Sequence, residues 1–299
     1  MIRLDAATVL LQWSGGGLLF LWVTTRRREV GIGYGWLLRG TYLLMAAGAL
    51  AAGVALEPVP VREASSAATT LAALVALVVS VQRRKAGVAG QRAEQVRKKE
   101  RVAAMVNASG FEATGIERAD EQEFDDTTAE FPPVLDLVAP ALALVGLVAA
   151  GIDAANGGSA LLAVARTLAG ALFLGSVSDA MLLGHWYLVQ PGMARSPLLE
   201  LVRWTALVWP LEVGLLLLPT GMVSVWDGSI DDGYGGMLGW FWGACAVFTI
   251  GLTFVTRAAL KERYYSAVMA ATGLLYLAIL TAFGTDLVAR AVLAGGTAT

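Results

Sequence analysis

The sequence has few of the residues that stabilise secreted domains or build metal centres. It contains one cysteine, Cys245, and one histidine, His185, in 299 residues. A single cysteine excludes an intrachain disulfide and a thiolate metal site. A single histidine excludes a haem held by two histidines, and we expect neither zinc nor covalently attached haem. Walker, Ser-His-Asp and deaminase patterns are also missing, so no residue is predicted to be catalytic, and whether the chain is an enzyme stays open.

Charge is also scarce, and long apolar runs take its place. Charged residues make up 15% of the chain and hydrophobic residues 57%, which is not the balance of a soluble domain. A helix needs about 20 apolar residues to cross a hydrocarbon core. We therefore predict an all-α polytopic membrane protein with eight transmembrane helices, near 5–25, 36–56, 66–82, 134–152, 159–181, 199–219, 237–256 and 265–288.

The lysines and arginines are distributed unevenly between the two sets of loops. One set receives 16 of them, at Arg26–Arg28, nine within 83–118, Arg195, Arg257, Lys261 and Arg263. The other set receives three, Arg3, Arg62 and Arg290, and the remaining Arg39, Arg166 and Arg203 fall within predicted helices. Because cytoplasmic loops carry the excess of positive charge, we predict a multi-pass cell-membrane protein with both termini outside.

The longest loop divides the chain into residues 1–82 with helices one to three, the cytoplasmic loop 83–133, and residues 134–299 with helices four to eight. The first part of this loop is basic and is expected to form a helix against the anionic inner leaflet. The second part is acidic and has few large apolar residues, so we do not expect it to pack alone. We expect membrane lipids as partners, a partner subunit docked on 83–133, and no nucleic acid.

Short matches within the chain predict an internal repeat. "LLRGTYLL" at 37–44 resembles "LVRWTALV" at 201–208, and "GLLFLW" at 17–22 resembles "GALFLG" at 170–175. The two offsets differ by 11 residues, which the connector 190–200 can absorb. A parallel duplication of four helices fits these matches, and internal repeats are common in transporters.

The stretch "SDAMLLGHWYLVQPG" at 178–192 has two interpretations. Trp186 and Tyr187 are typical of an aromatic belt at the membrane surface, with His185 as an interfacial anchor. Alternatively, His185 and Tyr187 donate hydrogen bonds to a quinone-type headgroup, with Trp186, Asp179 and Arg203 beside it. A quinone or a bound lipid is therefore the cofactor to consider.

Two pairs of opposite charges are placed symmetrically about the turn at Gln190–Gly192. Arg166 and Glu212 form one pair, and Asp179 and Arg203 the other. We predict that each pair forms an ion pair across the fifth and sixth helices, because a lone charge in a membrane is costly. Such pairs serve either as structural links or as part of an ion pathway.

Three functions remain open. The first is an integral subunit of a membrane-embedded redox complex with a quinone-headgroup site at the cytoplasmic edge. The second is a transporter or ion pathway that uses Arg166 and Glu212. The third is a scaffold subunit whose polar groups only hold helices together. We expect a complex-associated membrane subunit, acting as scaffold or quinone site, with the transporter as the alternative.

Overall fold

The structure, a computed structural model, describes residues 2–86, 96–97, 99–104, 125, 127–190, 192–262 and 264–295, and these residues form helices and connecting loops with no β-strand. A 3₁₀ turn, Pro133–Leu137, precedes the fourth long helix, and a single helical turn, Val223–Trp226, lies between the sixth and the seventh. The long helices are α1 Ala6–Thr25, α2 Ile32–Ala55, α3 Pro60–Gln82, α4 Val138–Ala154, α5 Ala160–Val189, α6 Ser196–Leu217, α7 Met237–Ala259 and α8 Tyr265–Gly295.

Seven helical segments in the described residues are long and apolar enough to cross a membrane, and α6 is not among them. The reason lies in its sequence, since α6 carries Glu200, Arg203 and Glu212 within 22 residues. The predicted all-helical fold is confirmed, and the seven candidate spans are consistent with the predicted multi-pass membrane protein.

Several helices are longer than their apolar runs. The third helix begins at Pro60 and contains Arg62 and Glu63, and the eighth continues to Gly295 and contains Arg290. The assignment of Arg62 and Arg290 to exposed loops was therefore wrong, because both are buried inside helices. Their guanidinium groups are paired with carboxylates, which makes burial tolerable.

The two ends of the helix bundle differ in charge. We call one the basic end, defined by Arg26–Arg28, Arg83, Arg84, Arg195 and Lys261. Ion pairs and hydrogen bonds join its loops: Arg26 to Glu200, Arg28 to Glu130, and Arg195 to the carbonyl of Leu260. At the other end, which we call the far end, the links are Arg3 to Asp153 and Arg62 to Asp5.

Two helices, α1 and α5, form the interior of the bundle. Their apolar segments are 67% and 61% buried, against 33–39% for the other candidate spans. The first packs on α2, α4 and α5, and the fifth packs on α1, α4, α6 and α8. Residues on α1 and α5 are therefore the ones placed to meet polar groups from several helices at once.

A run of three glycines allows α1 to approach three neighbours. A Cβ atom at Gly15 would lie 2.8 Å from the Ala143 Cβ of α4, and one at Gly17 would overlap the Tyr42 ring of α2. At Gly16 a Cβ would overlap the backbone carbonyl of Ala171 on α5. Only glycine permits this close crossing of α1 and α5.

Most of the loop 83–133 lies outside the described residues, including its predicted basic helix and most of its acidic segment. Described residues of this loop contact the bundle: Glu130 pairs with Arg28, and Phe131 lies against the guanidinium of Arg39. Arg101 donates through Nε to the carbonyl of Gly192, at 2.7 Å, in the connection between α5 and α6.

Candidate functional site

A buried ion pair lies within α8, near the far end. The Arg290 Nε atom donates to Oδ2 of Asp286 at 2.7 Å, and Nη2 donates to Oδ1 at 3.1 Å. Both side chains are at most 1% exposed. The spacing of four residues places them on one face of the helix, one turn apart. A second interaction of Arg290, through Nη1 to the carbonyl of Arg3 at 3.2 Å, connects α8 to the start of the chain.

Glu212 of α6 lies beside this pair and is fully buried. It lies close enough to Asp286, Arg290 and Arg166 to interact electrostatically with all three. No N–H or O–H group of the described residues donates to either of its carboxylate oxygens, and its side-chain neighbour at hydrogen-bond range is the second acid, Asp286. Buried carboxylates are almost always hydrogen-bonded or paired, so Glu212 is the least satisfied charged group of this cluster.

The predicted ion pair between Arg166 and Glu212 is not formed in the structure. Arg166 donates instead to backbone carbonyls at the end of α6, that of Leu215 in its last turn and those of Leu218 and Thr220 just beyond it, at 3.0, 2.8 and 3.1 Å. The last carbonyls of a helix have no partner within the helix, and here these carbonyls, rather than the carboxylate of Glu212, bind the guanidinium of Arg166. Arg166 therefore fixes the end of α6 and leaves Glu212 without a direct cation.

Gly170 of α5 lies where Asp286 and Arg290 of α8 meet the two central helices, α1 and α5. A Cβ atom there would lie 2.7 Å from Nε2 of Gln12, 2.8 Å from Oδ1 of Asp286 and 3.2 Å from Nη2 of Arg290. Gln12 of α1 donates to the carbonyl of Thr167 at 2.6 Å, and its Oε1 atom has no partner among the described residues. We call Gln12, Gly170, Glu212, Asp286 and Arg290 the carboxylate cluster.

Asp179 forms a second buried acidic site on α5. It is fully buried; the hydroxyl of Tyr42 donates to its Oδ1 atom, and Oδ2 has no partner among the described residues. The hydroxyl of Tyr34 donates to the backbone carbonyl of Asp179 at 3.3 Å. Between the two acidic sites, the buried hydroxyls of Ser176 and Thr205 lie 3.3 Å apart.

The residues predicted to surround a quinone headgroup do not converge. Asp179 faces the interior, whereas Arg203 is exposed and makes no ion pair within the described residues. Trp186 packs near Tyr34, with ring centroids 6.1 Å apart, and the hydroxyl of Tyr187 donates to the carbonyl of Ala194. The predicted pair of Asp179 and Arg203 is therefore not formed, because the two side chains lie on different faces of their hairpin.

His185 lies on the outer surface of the bundle near the end of α5, which continues to Val189 as the sequence suggested. Its Nδ1 atom is 3.0 Å from the hydroxyl of Tyr276 on α8, and the two rings meet edge to face. Both side chains are exposed on the bundle surface. The histidine thus has a tyrosine partner that the sequence did not indicate.

Another buried pair lies at the basic end. Arg39 donates through Nε and Nη2 to the two oxygens of Asp136, at 2.8 and 2.7 Å, and through Nη1 to the hydroxyl of Ser80 at 3.1 Å. Its guanidinium also lies 4.6 Å from the ring centroid of Phe131. Such a two-point interaction fixes α2 against α3 and the turn before α4.

Sequence reasoning identified Glu212 and Arg166 but missed Asp286, Arg290 and Asp136 as buried partners. Asp286 and Arg290 could have been found in the sequence, since "DLVAR" at 286–290 places an acid and an arginine one helical turn apart in an apolar segment. Asp136 gave no local signal, because its partner Arg39 is 97 residues away in the chain.

No cluster of three or more metal-ligating side chains occurs in the described part of the chain. No protein-family model, no curated protein and no solved structure matches this chain. The buried acids are therefore interpreted from their geometry alone.

Proposed function

We propose that this chain is a membrane-embedded proton or ion pathway in which Glu212 and Asp286 exchange a proton. The observation that carries the proposal is the state of Glu212, a fully buried acid that receives no hydrogen bond from an N–H or O–H group of the described residues and lies at hydrogen-bond range of a second acid, Asp286, with Arg290 nearby. A purely structural role gives no reason to retain a carboxyl group there, since an apolar residue of similar size would avoid the desolvation cost. Buried acids in transmembrane helices commonly serve proton relays and ion pathways.

The distribution of polar groups along α5 supports a path through the bundle. Gly170, at the carboxylate cluster, and Asp179 are nine residues apart, or about 13 Å at the rise of a helix. The hydroxyls of Ser176 and Thr205 lie between them, and Tyr42 and Tyr34 continue the polar groups beyond Asp179. Side chains that both donate and accept protons are thus aligned along one central helix.

The proposal is tested by proton uptake into liposomes that contain the full chain and a trapped pH indicator, under a potassium diffusion potential. We expect uptake above that of protein-free liposomes. Glu212→Gln and Asp179→Asn should each reduce it at least about tenfold, because transfer through a positioned side chain commonly contributes more than this. Glu57→Gln is the matched control, since the Glu57 side chain is 70% exposed at the far end.

A pathway that opens only with a co-substrate would show no uptake, so protonation is also measured directly. Infrared difference spectra across a pH step should contain the carbonyl band of a protonated carboxylic acid that disappears in Glu212→Gln. The proposal would be excluded if liposomes with the wild-type chain took up no more protons than protein-free liposomes and if Glu212→Gln left the infrared spectra unchanged.

The number of spans, the internal repeat and the side of the termini are part of the same proposal. Eight spans are expected, since α6 packs between α5 and α7 and its 22 residues are about 33 Å long. Similar helix neighbours around α1 and α5 support the four-plus-four parallel repeat. With the basic end in the cytoplasm, both termini lie outside the cell membrane. Reporter fusions at Thr299 and Glu121 should then give opposite compartments, and the same compartment for both would contradict the topology.

A second candidate function is a subunit of a membrane redox complex that binds a quinone-type headgroup. The hydrogen bond between His185 and Tyr276, on the exposed surface near the basic end, favours it. A histidine with a tyrosine partner can supply a proton to a reduced quinone. His185→Ala, assayed in the intact membrane assembly, should lower quinone affinity. Unchanged affinity and electron transfer would leave His185 as an interfacial anchor.

A further inference from the structure

An open cavity lies at the far end, in the connection between α6 and α7. Its volume is about 400 Å³, within the range of small-molecule sites. Two tryptophans, Trp226 and Trp240, and two aspartates, Asp231 and Asp232, line it, and none of the described residues that line it is basic. The cavity therefore combines aromatic walls with negative charge.

The two tryptophans are held close to each other and remain accessible. Their ring centroids are 6.0 Å apart, with the ring planes inclined by 44°. Trp226 also packs on α7, where a Cβ atom at Gly239 would lie 2.9 Å from its Nε1 atom. Even so, Trp226 is 41% exposed and Trp240 is 73% exposed. Both rings thus offer accessible surface to a ligand in the cavity that they line.

Buried contacts hold this connection against the bundle. Val225 and Ile230, which also line the cavity, pack in an apolar cluster with Ile2 and Trp242. The Trp242 ring in turn lies 5.7 Å from that of Trp226, measured between centroids. The walls of the cavity are therefore supported by the core of the far end.

The two aspartates differ in their hydrogen bonds. Asp232 fixes the start of α7, because it accepts three backbone hydrogen bonds at 2.8–2.9 Å, from the N–H groups of Tyr234, Gly236 and Leu238. Asp231 is exposed and accepts one backbone hydrogen bond, from Gly233 at 2.8 Å. It makes no ion pair within the described residues. The Asp231 carboxylate is therefore available to a cation in the cavity.

Positive charge around the cavity is scarce. No lysine or arginine occurs in the sequence between Arg203 and Arg257. The arginines of the far end are engaged by other groups, by carboxylates for Arg3, Arg62 and Arg290, and by backbone carbonyls for Arg166. A cation that enters the cavity thus meets no basic side chain among the described lining residues.

We propose that this cavity binds an alkylammonium group, either the cationic headgroup of a zwitterionic lipid or a soluble alkylammonium ion. Of the aromatic rings, indole attracts a cation to its face most strongly, and aromatic walls are the usual means of recognising quaternary ammonium ligands. The Asp231 carboxylate adds attraction between opposite charges. A metal ion fits less well, because the described residues contain no group of three metal-ligating side chains. The inference is independent of proton exchange at the carboxylate cluster.

The test uses the full chain, purified in detergent and freed of lipid. Calorimetry compares choline with dimethylbutanol, the uncharged analogue in which a carbon atom replaces the nitrogen. We expect choline to bind at least about tenfold more tightly, because only choline carries the charge that the indole rings and the carboxylate attract.

Two variants remove one attractive group each. Trp240→Leu and Asp231→Asn should each weaken choline binding about threefold to fivefold. Trp204→Leu is the matched control for the first, because Trp204 is an exposed tryptophan of α6 outside the cavity. Asp227→Asn is the control for the second, since Asp227 also accepts one backbone hydrogen bond in this loop but does not line the cavity. Screening by salt should keep the effect of Asp227→Asn below about twofold.

Native mass spectrometry with phosphatidylcholine or phosphatidylglycerol distinguishes the two sources of the group. Preferential retention of phosphatidylcholine that weakens in Trp240→Leu and Asp231→Asn identifies a lipid headgroup site. Choline binding that weakens in the same variants, without a preference between the lipids, identifies a site for a soluble ion.

Three results would overturn the inference and leave the tryptophans as interfacial anchors only. The first is no choline binding together with equal retention of the two lipids. The second is equal binding of choline and dimethylbutanol. The third is a loss in Trp204→Leu as large as that in Trp240→Leu. Circular dichroism of each variant reports folding, and Asp231→Asn with its control decides the question if Trp240→Leu does not fold.

Discussion

Among the described residues, two arginine–aspartate pairs are almost completely buried, one at each end of the bundle, and their surroundings differ. At the basic end, Arg39 donates to both oxygens of Asp136 and to Ser80, and no buried atom of the pair lacks a partner among the described residues. At the far end, Arg290 holds Asp286 in a similar way, but Glu212 lies beside Asp286 and receives no hydrogen bond from an N–H or O–H group of the described residues. The first pair is complete, and the second carries an additional acid.

This difference separates a structural charge from a candidate functional one. Burial alone does not mark a site, since both pairs are almost completely inaccessible. A complete pair is costly to break and offers no group for further chemistry. An acid without a partner carries a desolvation cost that the fold does not recover, and such groups are characteristic of functional sites.

The largest expected effect is at the complete pair. Asp136→Ala leaves Arg39 as an uncompensated buried charge and should lower the free energy of unfolding by about 3–5 kcal/mol. The double variant Arg39→Met with Asp136→Leu should lose much less, because no charge remains. Denaturation of the purified chain in mixed micelles, followed by circular dichroism, measures both. Additive losses would contradict the pairing, and Asp153→Ala, at a half-exposed ion pair, should cost no more than about 1 kcal/mol.

An intermediate effect, of opposite sign, is expected at Glu212. Glu212→Leu removes two buried carboxylate oxygens to which no N–H or O–H group of the described residues donates, and it should leave stability unchanged or raise it by about 1–3 kcal/mol. Asp286→Leu, in the same cluster, should lower the free energy of unfolding, because Arg290 then loses its carboxylate partner. The same denaturation measurement compares the two. If Glu212→Leu is as damaging as Asp286→Leu, Glu212 is a structural partner of the pair and the contrast between the two ends fails.

The fold could be predicted from hydropathy to a large extent, and the helix ends could not. Apolar runs located all eight long helices, because helical segments that exclude charge are easy to recognise in sequence. The predicted boundaries stopped where charges began, so Arg62 and Arg290 were placed outside. Their buried partners, which lie in other parts of the chain or one turn away, make longer helices stable.

The candidate site was predicted only in part, for a similar reason. Glu212 and Arg166 stood out as charges in apolar helices. Their symmetric positions about a turn predicted a pair, but this prediction left out other acceptors for the guanidinium of Arg166. The carbonyls beyond α6 that bind Arg166 are backbone atoms, which no sequence pattern identifies. Only the interaction of Asp286 with Arg290 could have been read locally, from their spacing of four residues.

The smallest expected effect concerns the geometry of the carboxylate cluster. Gly170→Ala places a methyl group 2.7 Å from Gln12 Nε2 and 2.8 Å from Asp286 Oδ1. Overpacking costs about 1–3 kcal/mol, and the gain in helix propensity returns about 0.5–1 kcal/mol, so we expect a net loss of about 1 kcal/mol. Gly214→Ala on α6 is the matched control, because a Cβ there meets no atom within 4 Å, and it should be neutral or slightly stabilising. Gly170→Ala should also slow proton uptake, since the added methyl group displaces Asp286 from Glu212. Equal stability and equal uptake for the two alanine variants would show that the close contact at Gly170 does not set the geometry of the two acids.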